Sequence, residues 1–215
     1  MSPSPLNIIP HISAFYLMDL AGVAVFAVTG VMAAGQKKLD LFGVLVLATV
    51  TAIGGGTLRD VIIDRRVTWL SDHTYLWVII LTVFATMAFM RLSKKTHGHS
   101  LIVADALGLA LFGISGAQIA EAFGCRGIVA VILGTMTGAA GGVLRDMLIG
   151  EIPLVLRDRA LYATAAVVGI SVYLALEMAG LPIHPAAAIG MAVIVILRFG
   201  SIFGKLRLPT FSGRE

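Results

Sequence analysis

Charge is what this sequence has least of. Only 13% of its 215 residues are Asp, Glu, Lys or Arg, against roughly 25% in ordinary soluble domains. A hydrophobic share of 58% fills the difference, which excludes a soluble globular protein. A single cysteine, Cys125, excludes an intramolecular disulfide and any cysteine-rich metal site. His73, His97, His99 and His184 fall in loops and His11 in the N-terminal tail, none with a partner at metal-ligand spacing. The first ten residues carry no Lys or Arg and precede no small-residue cleavage site, so no cleaved signal peptide is expected. The net charge of +4 comes from basic residues scattered between apolar runs. They form no clustered polar face, which argues against nucleic acid as a partner.

Long apolar runs take the place of what is missing. Bounded by charges and turn residues, they predict helices at about 13–34, 41–63, 75–91, 101–122, 126–150, 160–178 and 184–200. Seven crossings consume roughly 140 residues and leave no room for a soluble catalytic domain. Arg65, Arg66 and Arg126 lie on the side of the N-terminus. Lys37, Lys38, Arg91, Lys94, Lys95, Arg157, Arg159, Arg198, Lys205, Arg207 and Arg214 lie on the other. The positive-inside rule then predicts an outside N-terminus and a cytoplasmic C-terminus. Lys94, Lys95 and the basic C-terminal residues serve this orientation, with anionic membrane lipid as a further partner. Trp69, Trp77 and Tyr75 read as interfacial anchors.

The chain contains an internal repeat. Asp19, Gly22, Phe26, Gly30, Thr51, Gly55, Gly56, Arg59 and Asp60 meet identical residues at a constant offset of 86, among them Asp105, Gly141, Gly142, Arg145 and Asp146. Chance likeness between two Leu/Val/Ala-rich stretches would not align charges and glycines. The organisation read from this is a tail (1–12), a first three-helix repeat (13–91), a connecting loop (92–100), a second repeat (101–178), a seventh helix (184–200) and a C-terminal tail (201–215). An odd number of crossings per unit inverts the second copy, an architecture typical of transporters and related pores.

Depth makes the repeated residues interpretable. At 1.5 Å per residue, Asp19 and Arg59 lie about 6–9 Å below one membrane edge, and Asp105 and Arg145 match them below the other. Two Asp/Arg pairs, Asp19 with Arg59 and Asp105 with Arg145, are therefore expected, since an unpaired charge at that depth is costly. Adjacent Arg59 and Asp60 diverge by about 100° on a helix, which speaks against their pairing, and the same holds for Arg145 and Asp146. Such pairs can be gates or purely structural clamps. Gly54, Gly55 and Gly56, and Gly138, Gly141 and Gly142, lie deeper, near the midplane. Consecutive glycines cost about 1 kcal/mol each in a helix, so broken helices that expose backbone carbonyls to a permeation path are expected there. Close small-xxx-small packing is the simpler alternative. Thr29 and Ser115, equivalent in the repeats, are candidates for lining a polar path; bonding to a backbone carbonyl within the helix is the alternative.

At its paired Gly-Gly-x-Leu-Arg-Asp motifs, Gly55 to Asp60 and Gly141 to Asp146, the sequence resembles the bacterial and archaeal relatives of the trimeric intracellular cation (TRIC) channels. The resemblance runs from about Asp19 to the seventh helix. It implies an all-α membrane fold in a prokaryotic inner membrane and a homotrimer with one pore per protomer. It also implies helices two and five kinked at their glycines, and permeation by potassium or sodium with no bound cofactor. Related bacterial sequences are also described as glycine transporters, so transport of a small amino acid is the second function considered. Ala140 stands where the first repeat has Gly54, and the animal channels' lysine-containing signature on helix two is absent. No acid/base constellation suggests an enzyme.

Overall fold

In the computed structural model, residues 12–92, 99–157 and 161–204 are described. Lys94, Lys95, His11, His97, Arg159, Lys205, Arg207 and Arg214 fall outside them, and with them the roles in orientation and lipid binding expected of the basic ones. The described chain is all-helical. Its long helices are α1 (Ile12–Gln36), α2 (Leu41–Ile62), α4 (Thr74–Leu92), α5 (Ser100–Ala122), α6 (Ile128–Leu148), α8 (Ala163–Met178) and α9 (Ile183–Gly204). Each lies within a few residues of an expected run. Six are long and apolar enough to cross a membrane, while α8, at 16 residues, is shorter. Two short helices, α3 (Thr68–Ser71) and α7 (Leu154–Arg157), occupy stretches read from sequence as loops.

These short helices exist because of how α2 and α6 end. The Ile63 amide donates to the Arg59 carbonyl, and the Arg65 amide reaches back to the Asp60 carbonyl at 2.8 Å. Between them Asp64 takes φ 52°, a left-handed conformation that Asp tolerates better than most residues. In the second repeat Ile149 donates to Arg145, Glu151 to Asp146 at 2.9 Å, and Gly150 supplies the positive φ. The chain thus turns sharply enough for the Asp60 carboxylate to accept from the Thr68 amide (3.0 Å) and the Asp146 carboxylate from that of Leu154 (2.8 Å). One aspartate closes a long helix and caps the next short one.

Reciprocal contacts join the two halves. Phe26 and Phe112 stack with centroids 5.3 Å apart. Gly22 faces the Phe112 ring and Gly108 faces that of Phe26, each where a Cβ would collide. Where α2 crosses α6, a Cβ on Gly55 would overlap the Thr137 carbonyl oxygen, and one on Gly141 would overlap that of Thr51. The apolar core falls into two clusters, one around Phe26, Leu47 and Val83, the other around Leu109, Ile114, Ile170 and Ile194, where α8 and α9 join the second half.

The expectation of broken helices is not met. Both α2 and α6 run as uninterrupted α-helix through Gly54–Gly56 and Gly138–Gly142. The packing alternative explains the glycines instead: without side chains, the two backbones approach closely enough that dispersion contacts and excluded lipid offset the helix penalty. Gly54 lies under Leu144 and Gly138 under the Leu109 carbonyl. Gly56 and Gly142 lie beside the arginines instead, and a Cβ on Gly142 would stand 3.1 Å from Asp105 Oδ1 and 3.2 Å from the Tyr162 hydroxyl. A Cβ on Gly56 or Gly142 would stand 3.6 Å from Nη2 of Arg59 or Arg145, respectively.

Candidate functional site: two buried carboxylate–arginine clusters

All six repeated charges are buried: Asp19, Arg59 and Asp60 in the first half, Asp105, Arg145 and Asp146 in the second. Their partners differ from expectation. Arg59 donates through Nε and Nη2 to Asp60 Oδ1 at 2.9 and 2.8 Å, and Arg145 through Nε to Asp146 Oδ1 at 2.8 Å. Adjacent residues do pair, contrary to the reading from helical angles. The 100° divergence constrains only the Cα–Cβ directions, whereas the arginine's three-carbon stem wraps the guanidinium around the helix to a carboxylate fixed by α3 or α7.

Of the two expected cross-helix pairs, Asp105 with Arg145 forms, with Nη1 3.1 Å from Oδ1. Asp19 with Arg59 does not. Asp19 instead accepts from the Tyr75 hydroxyl at 2.8 Å and the Ser115 hydroxyl at 3.2 Å. Ser115 therefore reaches a buried, repeated carboxylate across helices, while its counterpart Thr29 spends its hydroxyl on the Phe26 carbonyl (2.8 Å), the local alternative. Tyr75 is 5% exposed, so it belongs to the site rather than to an interfacial belt.

The first cluster opens into a small cleft of about 20 Å³, the space of a water-sized group, whose lining includes Asp19, Gly56, Thr57, Arg59, Trp69 and Tyr75. Trp69 Nε1 donates to Thr57 at 3.0 Å, and the Thr68 hydroxyl to Asp60 at 2.9 Å. Thr57, Thr68, Trp69 and Tyr75 thus add neutral polar groups to the charges of Asp19, Arg59 and Asp60 along this cleft. At the same offset the second half carries Val143, Leu154 and Val155 for Thr57, Thr68 and Trp69. Just outside the spans, Asp72 accepts from the Thr74 amide at 2.9 Å and the Tyr16 hydroxyl at 2.5 Å. The bonds from Thr74 and then Tyr16 hold its carboxyl below the usual aspartate value.

The second cluster holds two residues that periodicity and repeat matching missed. Arg198, on α9, was grouped with the loop cations, yet it is 2% exposed. Its Nη2 lies 3.9 Å from Asp105 Oδ2, and its guanidinium sits 4.4 Å over the buried Tyr162 ring. The signal was present: Arg198 stands within the apolar run that forms α9, where a charge asks for a partner. Tyr162 gave no such signal, because it lies one residue past the position matching Tyr75.

A family model described as glycine transporter matches residues 16–91 and again residues 102–178, once per repeat. A UPF0126 membrane protein of Vibrio cholerae is 43% identical over 201 residues, covering 93% of this chain and 84% of that protein. The UPF0126 inner membrane protein YadS of Escherichia coli K12 is 42% identical, covering 92% and 96%. Among solved structures, the TRIC trimeric intracellular cation channel orthologue from Rhodobacter sphaeroides superposes with a TM-score of 0.84 at 34% identity, covering 89% of this chain and 99% of that one. With both halves matched by the family model and nearly the whole chain aligned to these relatives, the protein belongs to the TRIC/UPF0126 family of membrane proteins.

Proposed function

We propose that the protein is a monovalent cation channel, chiefly for potassium, assembled as a homotrimer in a prokaryotic inner membrane. The observation that carries this reading is the likeness to TRIC channels over nearly the whole chain. Reciprocal contacts at constant offset favour two inverted repeats with α8 and α9 as sixth and seventh crossings, and the distribution of loop charges favours an outside N-terminus and a cytoplasmic C-terminus. Each protomer has its own path between the halves. The unbroken α2 and α6 remove freed carbonyls as ion ligands. Side-chain oxygens take their place: the Asp19 carboxylate and the Thr57 and Tyr75 hydroxyls around the first cleft offer a cation partial replacement of its hydration shell. Gly54, Gly55, Gly138 and Gly141 hold the helices together, Gly142 leaves room for Asp105 and Tyr162, and the arginines of the two clusters restrain the mouths.

The family model's description favours one second reading, exchange of glycine. Purified protein in liposomes separates the two. Voltage-driven potassium flux without added substrate is expected. Saturable exchange of labelled glycine with no conductance would replace the channel by the transporter. A crosslinking ladder in mild detergent is expected to stop at trimer, and one that stops at dimer would overturn the assembly.

A further inference from the structure

Arg198 lies outside both repeats, and the duplicated pattern does not account for it. It approaches Asp105 from the side opposite Arg145: Arg145 Nη1 meets Oδ1 at 3.1 Å, and Arg198 Nη2 faces Oδ2 at 3.9 Å. A hydrogen bond from Arg198 Nη1 to the Leu161 carbonyl (3.3 Å) and the Tyr162 face fix the guanidinium in place. Asp105 is fully buried between two cations, whereas its counterpart Asp19 is held only by neutral hydroxyls. A carboxylate bonded to neutral donors keeps its negative field. One flanked by two guanidinium groups has it cancelled.

We propose that Arg198 is a positioning residue for ion passage: it holds and neutralises Asp105, so that the two equivalent carboxylates act unequally and the two ends of the path differ in their pull on a cation. The proposal rests on the channel reading. Its consequence is directional. Cations entering from the Asp19 end meet a negative field that those entering from the Asp105 end do not, so current at equal and opposite voltages differs.

The test uses full-length protein inserted in one orientation into planar bilayers with symmetrical potassium. Arg198→Gln is expected to uncover Asp105 and move the ratio of currents at opposite voltages towards unity by up to roughly tenfold, the lower end of local field effects. Arg198→Lys keeps the charge and is expected to keep the wild-type ratio. Asp105→Asn combined with Arg198→Gln removes both charges and is expected to restore it. Lost stability alone would lower the number of active channels without changing this ratio. Wild-type current with an unchanged ratio in Arg198→Gln overturns the role of Arg198 alone, as does equal behaviour of the Lys and Gln variants. Absence of wild-type current overturns the channel reading and the role with it.

Discussion

The two halves of the chain share a scaffold and differ in chemistry. Packing and capping contacts repeat at an offset of 86: the α2–α6 crossing glycines, the stacked phenylalanines, and the aspartates that cap α3 and α7. Of the polar side-chain contacts, Arg59–Asp60 repeats as Arg145–Asp146, but the partners of the other charges differ. At one end of the molecule Lys37 Nζ pairs with Glu151 at 2.6 Å; the positions matching these two residues are Phe123 and Arg65, which make a cation–π contact at 5.6 Å. One geometry is kept with its charges exchanged for a ring and a guanidinium. Similarly, Asp19 has hydroxyl partners and Asp105 has arginines, because α9 packs against the second half and brings Arg198 with it. Close packing tolerates little change at a crossing, whereas a side-chain partner can be replaced by any group of complementary charge.

If the halves differ as described, the largest contrast is expected between their arginines. Arg145→Gln strips Asp105 and Asp146 of a fully buried partner and is expected to cost about 3–5 kcal/mol. Arg59→Gln is expected to cost less, since Asp60 keeps the Thr68 amide and hydroxyl and Asp19 never depended on Arg59. Denaturant unfolding in detergent compares them. Equal losses would mean that the Asp105 pair adds nothing beyond the Asp146 bond. In bilayers Arg59→Gln, next to the cleft, is expected to alter ion preference while the protein stays folded.

The crossing should treat the halves alike. Gly55→Ala and Gly141→Ala each drive a methyl into a carbonyl of the facing helix and are expected to destabilise by about 3 kcal/mol, the upper end of ordinary overpacking costs. Gly56→Ala meets nothing closer than 3.6 Å and is expected to gain helix propensity instead. Melting temperatures rank the three, and a harmless Gly55→Ala would reopen the case for a break in α2.

Apolar runs in the sequence located the long helices, and the alignment of charges and glycines at the offset of 86 singled out six charges that are buried. Partner choice was not legible. Helical angle says where a Cβ points and nothing about how far an arginine reaches, so the Arg59–Asp60 and Arg145–Asp146 bonds escaped it. Glycine runs were ambiguous for another reason, since a break and a close crossing demand the same residue. The crossing became visible only once the Thr137 and Thr51 carbonyls stood opposite Gly55 and Gly141. Tyr75 looked like an anchor because its partner, Asp19, lies 56 positions away.

The end contacts predict a smaller difference. Lys37→Met removes an ion pair whose side chains are over one-third exposed, and is expected to cost at most about 0.5 kcal/mol. High salt should erase even that, because exposed charges are screened within a few ångströms at molar ionic strength. Phe123→Leu loses a contact resting partly on ring area, and its cost should survive salt. Melting curves of both variants at low and high potassium chloride make the comparison, and parallel salt responses would show that the two ends are held by the same force.

The smallest effect concerns acid, and it is expected where the first half ties α1 to α4. Asp72 ties the start of α4 to Tyr16 of α1, whereas Ile102, the residue matching Tyr16, has no hydroxyl to offer. Because Thr74 and Tyr16 hold the Asp72 carboxyl below its unfolded value of about 4, the folded state releases this proton more readily than the unfolded one. The stabilisation is therefore fully present above that unfolded value and is lost as pH falls through the lower folded one. Asp72→Asn is expected to remove this part of the melting temperature's decline below about pH 4 by lowering the melting temperature slightly at neutral pH, where the charge no longer strengthens the bonds, although the amide oxygen can still accept from Thr74. Tyr16→Phe removes one of the two bonds and should flatten it in part. An acid decline identical in wild type and both variants would move the sensitivity away from the link between α1 and α4 and leave the halves alike in their response to pH.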